Sequence, residues 1–196
     1  RPLRLISFEC DLDPLTLACR DNSNFHYLRH SAPHHILRHG RWQHNSQLLT
    51  WELLKGDFLE LFWKAPIPDL IFYDPFSAKT DSELWTAETF SLLFKNLAER
   101  KVELYTYSAA TAVRVAMLRA GFFVAEGMAT GPKAATTIAF NKIEGAGDHP
   151  QKPPLLDARW LERWRRSGSR FPPTASHHEK EQITAAIESH PQFNMG

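Results

Sequence analysis

This sequence has two cysteines, no long apolar run and almost no net charge. Its two cysteines, Cys10 and Cys19, form neither a disulfide framework nor a metal-binding motif, and they fit a reducing compartment. No apolar run approaches the roughly 20 residues that a membrane span needs, and the opening RPLRLISFEC has no signal-peptide core. The net charge of +1 excludes a globally basic nucleic-acid binder but leaves local basic patches open. These absences predict a cytoplasmic protein with no membrane partner.

Apolar segments of strand length alternate along the chain with longer segments of helical periodicity. The predicted strands are 3–9, 48–58, 69–74, 102–108, 122–128 and 135–142, and the last two form a hairpin-like pair around ATGPK. The predicted helices are 13–22, with Asp13 as its cap, 82–100 and 110–122. The unbroken apolar run before Asp74 favours a strand covered on both faces. Because alternating strands and helices are joined by right-handed crossovers, we predict a doubly wound α/β fold, mostly parallel, with an antiparallel last strand.

Three of the predicted strands end in acids. Glu9 follows LISF, Asp57 follows LLKG, and Asp74 follows LIFY. In open α/β sheets ligands bind beyond the carboxyl ends of the strands, where an acid can accept hydrogen bonds from ribose hydroxyls or amino groups. A single acid in such a place is more often a helix cap or a solvated loop residue. Three on successive strands favour a nucleoside site.

The segment Asp74-Pro75-Phe76 adds a chemical function to the third strand end. Pro75 lacks a backbone donor and stiffens the loop, and Phe76 offers a flat apolar face. The carboxylate of Asp74 is suited to orient an amine and to accept its proton, because an alkylammonium ion must lose a proton before it attacks an electrophile. The alternative is that Asp-Pro only initiates a turn.

These segments resemble, in order and spacing, a known family. RLISFE, LLKGDFLEL, DLIFYDPFSAKTDSELWTAETFSLL, LYTYSAATAVRVAMLRAGFFV and the following GPK are similar to the methyltransferase domain of the bacterial tRNA 5-methylaminomethyl-2-thiouridine enzyme. The likeness covers roughly residues 3–142. It implies a Rossmann-like fold, S-adenosyl-L-methionine as the methyl donor, and methylation of the 5-aminomethyl group on the wobble uridine of tRNA.

The resemblance also assigns roles by position. Glu9 is expected to bind the donor's ribose hydroxyls and Asp57 its adenine amino group. Asp74, the expected catalytic residue, lies beside the transferred methyl group and the acceptor amine. Phe76 and Lys79 are expected to face the tRNA base and backbone, and Ser108 to close the pocket. No flavin and no metal are expected.

The sequence departs from the family pattern at both ends. Families of this fold begin with a strand and a Gly-rich turn near the donor's methionine part, whereas this chain begins at what resembles the second strand, so we expect a missing N-terminal segment. About fifty residues follow Lys142 without a dinucleotide fingerprint, which predicts a stand-alone methyltransferase that depends on a separate flavin-dependent oxidase. We predict a methyltransferase domain at 1–143 and a linker with a C-terminal helical appendage at 144–196, frayed from Pro191 onward.

Two local patches are candidates for tRNA contact. Residues 26–44 contain six His, three Arg and no acid, and residues 151–173 contain six basic residues against two acids. In the second patch Arg163, Arg165 and Arg166 are the predicted phosphate contacts. The alternatives are a solvated helix face or an adventitious metal binder for the first patch, and a helix docked through its tryptophans for the second.

Three other functions remain open. A non-catalytic RNA-binding protein on a degenerate methyltransferase fold would explain the absent Gly-rich turn. A nucleotide-dependent oxidoreductase would need a fingerprint upstream of Leu3. A methyltransferase for small amines or for protein also fits, because the fold does not determine the acceptor.

Overall fold

The computed structural model describes residues 1–21, 24–76, 80–129, 135–143, 153–168, 170–172 and 174–194. The chain divides into two units, Arg1–Pro66 and Ile67–Gly196. The boundary predicted at residue 143 stays a prediction, because residues 144–152 lie outside the described ones. None of the helices in the described ranges is long and apolar enough to cross a membrane.

The first unit contains a three-stranded sheet. Its strands are β1 (Leu3–Glu9), β2 (Arg41–Gln43) and β3 (Leu49–Lys55), and its helices are α1 (Asp13–Arg20), α2 (Ser31–His39) and α3 (Phe58–Leu61). The strand order is β1-β3-β2, with β1 parallel to β3 and β2 antiparallel to it. Asp13 is not the cap of α1: Leu12 holds that position, and the Asp11 carboxylate accepts a hydrogen bond from the Asp13 N–H at 2.8 Å. The acid two residues upstream therefore satisfies the donor.

The second unit contains a four-stranded sheet. Its strands are β4 (Leu70–Phe72), β5 (Glu103–Thr106), β6 (Phe123–Gly127) and β7 (Thr136–Phe140), and its helices are α4 (Ala87–Asn96), α5 (Thr111–Arg119), α6 (Ala158–Arg166) and α7 (His177–Glu188). The order is β4-β5-β7-β6; β4 is parallel to β5, and β7 is antiparallel to both of its neighbours. The described strands thus form two mixed sheets instead of one mostly parallel sheet, and the expected antiparallel last strand is confirmed.

The predicted helix 82–100 is interrupted at Thr86. Ser82–Trp85 is a 3-10 turn, and α4 begins only after Thr86, whose hydroxyl accepts a hydrogen bond from the Thr89 N–H at 3.2 Å. The Thr89 hydroxyl in turn donates to the Glu83 carbonyl at 2.7 Å. Local side-chain bonds of this kind compete with continuous helix, which explains why Thr86 stays extended.

The expectation that the strand before Asp74 is covered on both faces is wrong. Leu70 and Phe72 are 45% and 74% exposed. In the described part of the second unit β4 is an edge strand that pairs with β5 alone. Its apolar residues therefore reflect one covered side, which carries the half-buried Ile71, and one open side.

The described residues 191–194 are ordered by burial instead of being frayed. Pro191–Phe193 forms a 3-10 turn, and Gln192 is only 7% exposed. Its side-chain amide accepts from the Val124 N–H at 2.7 Å and donates to the carbonyls of Val124 and Leu156, both at 2.8 Å. The segment thereby satisfies the outer edge of β6.

Candidate active site at the strand ends

In the first unit, the two predicted donor-binding acids lie at the same edge of the sheet. β1 and β3 end together, since the Gly56 N–H donates to the Glu9 carbonyl at 3.0 Å. Gly56 has φ +141, and a Cβ there would lie 2.9 Å from a terminal carbon of Leu61, so the turn requires glycine. The structure therefore brings Glu9 and Asp57 to one edge, as predicted for a pair of ligand-binding acids.

Both of these acids also support local structure. Oε1 of Glu9 accepts from the Asp11 N–H at 3.1 Å. Oδ1 of Asp57 caps α3 by accepting from the Leu59 N–H at 2.7 Å. Both residues are exposed. Within the described residues each carboxylate keeps its second oxygen outside these bonds, so each can still accept a hydrogen bond from a ligand.

In the second unit, β4 and β5 carry Asp74 and Ser108 to one edge. The strands are parallel, and the Tyr73 N–H continues their ladder by donating to the Tyr105 carbonyl at 2.8 Å. Asp74 is exposed, and its carboxylate has no hydrogen-bond or ion-pair partner among the residues that the structure describes. The Phe76 ring, two residues further along the chain, is 70% exposed. Both side chains are therefore open to solvent, and their roles toward an amine and a base stay predictions.

The loop that carries Asp74 and Phe76 is held by hydrogen bonds from two aromatic side chains. The Tyr107 hydroxyl donates to the Pro75 carbonyl at 3.2 Å, and the Trp85 indole N–H donates to the Phe76 carbonyl at 2.8 Å. Trp85 packs edge-to-face on the buried Tyr73 at 5.5 Å between ring centroids. Burial raises the pKa of the Tyr73 hydroxyl well above its ordinary value, so this hydroxyl remains a neutral donor. Hydrogen bonds to the carbonyls of Pro75 and Phe76, and not to the Asp74 side chain, therefore hold the loop in place.

Ser108 is fixed through a buried arginine that the sequence analysis did not identify. The Thr137 hydroxyl donates to the Ser108 carbonyl at 2.6 Å and accepts from Nε of Arg114 at 3.0 Å. Arg114 also donates to the Thr136 carbonyl at 3.0 Å and lies 3.5 Å from the Glu126 carboxylate. A single arginine inside the otherwise apolar AVRVAML of α5 was the available signal.

The predicted tRNA contacts divide into three groups. Lys79 lies outside the described residues, as does the GPK segment, which belonged to the family resemblance and not to the predicted contacts. Arg163 and Arg166 lie on the exposed side of α6. Arg165, by contrast, forms ion pairs with Glu162 at 2.6 Å and Glu188 at 2.8 Å. The three arginines are therefore not equivalent.

The His-rich stretch has structural roles in the first unit. Nδ1 of His30 caps α2 by accepting from the Ala32 N–H at 3.1 Å, and the Trp42 ring packs edge-to-face between His30 and His44. Gly40 ends α2 with φ +66. In the described ranges no group of three or more His, Cys, Asp or Glu side chains is placed to hold a metal ion.

Comparisons with known proteins identify the family. A family model described as S-adenosyl-L-methionine-dependent methyltransferase matches residues 20–142. The crystal structure of MnmC2 from Aquifex aeolicus matches with a TM-score of 0.56 at 20% sequence identity. That match covers 95% of this chain and 66% of that chain, and at such identity it shows the fold alone. No curated protein sequence matches this chain.

Both findings support the resemblance seen in the sequence motifs, and they confirm the Rossmann-like α/β class. The family match spans well over half of the chain. This chain belongs to the S-adenosyl-L-methionine-dependent methyltransferases.

Proposed function

We propose that the protein methylates the 5-aminomethyl group of the wobble (2-thio)uridine in tRNA, which gives 5-methylaminomethyluridine. The observation that carries this proposal is the Asp74 loop. A carboxylate without a described partner follows the end of a strand, and the exposed Phe76 ring comes two residues later. This pair suits an amine attached to a flat base, and the sequence resemblance points to the same acceptor.

The residues of the first unit fit the donor. Glu9 and Asp57 are exposed carboxylates at one sheet edge, and each has an oxygen outside its structural hydrogen bond. We assign Glu9 to the ribose hydroxyls and Asp57 to the adenine amino group of S-adenosyl-L-methionine. When bound, the donor supplies an electrophilic methyl group on a sulfonium.

Asp74 then acts on the acceptor. The carboxylate orients the substrate ammonium ion and accepts one of its protons, which leaves a lone pair on nitrogen. As the N–C bond forms, the C–S bond breaks and its electron pair stays on sulfur. Phe76 stacks on the base, and Lys79 contacts the RNA backbone. Ser108, which is held through Thr137, closes the pocket.

The chemistry of the substrate requires an earlier reaction by another enzyme. The chain would accept a primary amine that another enzyme must first uncover, and we assign that step to a separate flavin-dependent oxidase. Modification of tRNA locates the protein in the cytoplasm. The C-terminal arginines Arg163, Arg165 and Arg166 were predicted from the sequence as tRNA contacts, and their surroundings differ, since Arg165 alone of the three is bonded to two carboxylates among the described residues.

The test is transfer of labelled methyl from S-adenosyl-L-methionine to tRNA that carries an aminomethyl wobble uridine. We expect transfer by the wild-type protein and a loss of about 10²–10⁴-fold in rate for Asp74→Ala, the usual contribution of a positioned acid or base. Asp74→Asn is the matched control, because it keeps the shape but cannot accept the proton.

Undiminished transfer by both variants would reject the role of Asp74. Donor binding without transfer to any tRNA would retain the methyltransferase and redirect the search to other amines. RNA binding without donor binding would favour a non-catalytic RNA-binding protein.

A further inference from the structure

Helix α6 separates a buried apolar side from an exposed row of arginines. Its buried residues are Trp160, Leu161 and Trp164. Arg159, Arg163 and Arg166 follow at i, i+4 and i+7, which places them on one face of a helix with 3.6 residues per turn. The buried residues lie on the opposite side, so the arginine row points away from the core.

Arg165 does not belong to this row. Its side chain bonds to Glu162 within α6 at 2.6 Å and to Glu188 of α7 at 2.8 Å. These two carboxylates raise the pKa of the Arg165 guanidinium. Arg165 therefore links α6 to α7, and these bonds occupy its Nε and one of its two terminal nitrogens.

A shallow groove of about 580 Å³ runs along the arginine row. Its lining residues are Asp157, Ala158, Arg159, Glu162, Arg163 and Arg166. Among the residues that the structure describes, neither Arg159 nor Arg163 has a hydrogen-bond or ion-pair partner.

Both acids of the groove already have partners. Asp157 caps α6 by accepting from the Trp160 N–H at 3.0 Å, and Glu162 accepts from Arg165. Among the described residues Arg166 bonds through Nε alone, which donates to a backbone carbonyl at 3.3 Å, so its terminal nitrogens have no described partner. The groove thus offers unused guanidinium groups and a single apolar side chain, Ala158, which suits an anionic ligand and not an apolar peptide.

Arg163 in the groove interacts electrostatically with the buried Arg114 of the same unit. Burial lowers the pKa of the Arg114 guanidinium, the Glu126 carboxylate raises it, and the positive charge of Arg163 makes a smaller lowering contribution. Arg114 is the residue that holds the Ser108 carbonyl through Thr137.

We propose that this groove binds the phosphodiester backbone of the RNA substrate through Arg159, Arg163 and Arg166, and that Arg165 makes no RNA contact. This inference rests on the proposed function for the identity of the RNA. Guanidinium groups bind phosphate oxygens in a bidentate way, and spacing by one helical turn lets successive side chains contact one strand. The proposal adds Arg159 to the predicted contacts and removes Arg165.

The test measures binding of an unmodified tRNA transcript to the full chain over a series of salt concentrations, without methyl donor. The variant Arg159→Gln/Arg163→Gln/Arg166→Gln is compared with the matched control Arg165→Gln. Loss of three phosphate contacts should reduce the slope of log K against log salt by about 2–3 and weaken binding at low salt roughly a hundredfold. Gln is a good helix former, so α6 should persist, and circular dichroism checks this.

Arg165→Gln should behave differently on two readouts. We expect tRNA affinity and salt slope within about twofold of wild type, since the removed charge was already paired, together with a lower melting temperature from loss of the α6–α7 link. Unchanged affinity and slope in the triple variant, or an equal loss in Arg165→Gln, would overturn the proposal. So would a wild-type protein that does not bind tRNA.

The binding assay separates this inference from the proposed function. A wild-type protein that binds tRNA through the arginine row but transfers no methyl group would refute the reaction and leave the groove intact. Methyl transfer by the wild-type protein, together with a triple variant that binds tRNA like wild type, would support the reaction and refute the groove.

Discussion

Replacing Gln192 by Ala should destabilise the second unit far more than its position near the chain end would suggest. Val124 pairs with Ala139 on the β7 side of β6, so its N–H and carbonyl point to the outer edge. There the Gln192 amide bonds to both groups and to the Leu156 carbonyl. The side chain thus substitutes for one residue of an additional strand.

The magnitude follows from the groups that the substitution leaves unpaired. The Val124 carbonyl keeps a second donor, the Leu156 N–H at 2.8 Å, but the Val124 N–H and the Leu156 carbonyl lose the partners described for them. Each buried group left unpaired costs about 1–3 kcal/mol, so we expect the free energy of unfolding to fall by about 3–5 kcal/mol. Because whole domains have only about 5–15 kcal/mol, this loss is severe.

The assay is urea unfolding followed by tryptophan fluorescence, together with amide hydrogen exchange at Val124. Gln192→Glu should cost at least as much, because it keeps an acceptor for the Val124 N–H but brings a charged carboxylate without amide donors against two carbonyl groups. Gln182→Ala is the matched control on an exposed face of α7, where the only described partner is His178; its cost should stay within about 0.5 kcal/mol. A loss below about 1 kcal/mol for Gln192→Ala, with unchanged exchange at Val124, would refute the reasoning.

Three further predictions concern the second unit. Burial lowers the pKa of His190, so its ring takes up a proton at higher pH in the unfolded state than in the native state. The free energy of unfolding should therefore fall as pH drops below about 6.5 and level off below the lowered pKa. Urea midpoints of wild type and His190→Asn between pH 5 and 7.5 measure this, and equal slopes would contradict it. Gly121→Ala should cost about 1–3 kcal/mol, since φ is +102 and the new Cβ would lie 3.1 Å from the Phe94 ring; an unchanged melting temperature would exclude that strain. Thr137→Val should cost about 2–4 kcal/mol by unpairing Nε of Arg114 and the Ser108 carbonyl, whereas Thr137→Ser should retain most of the stability, and equal losses would point to packing instead.

Features carried by local patterns were predicted well from the sequence. β1 matches its predicted range, and β3 and β5 lie within theirs, because alternating or continuous apolar residues bounded by Gly and acids are visible in the chain itself. The placement of Asp74 and Ser108 at one edge also followed, since parallel neighbouring strands end on the same side. These inferences needed only periodicity and topology.

Features that depend on distant partners could not be predicted. Nothing near Gln192 in the sequence indicates that its amide will pair with Val124, 68 residues away. Arg114 is similar, because its partners come from β6 and β7 and burial of an arginine is unfavourable until they are in place. Arg163 and Arg165 are also alike as sequence, and the bond from Arg165 to Glu188 depends on α7, which is distant in the chain.

The three acids at strand ends differ in what their substitution would report. Asp57 caps α3 and Glu9 supports the turn after β1, so removing either carboxylate changes local structure as well as any ligand contact. Asp74 has no such role among the described residues, because carbonyl groups hold its loop. A loss of methyl transfer in Asp74→Ala at unchanged stability would therefore report on chemistry directly. At Asp57 the informative substitution is Asn, which still caps a helix, because only then does weaker donor binding reflect the ligand contact.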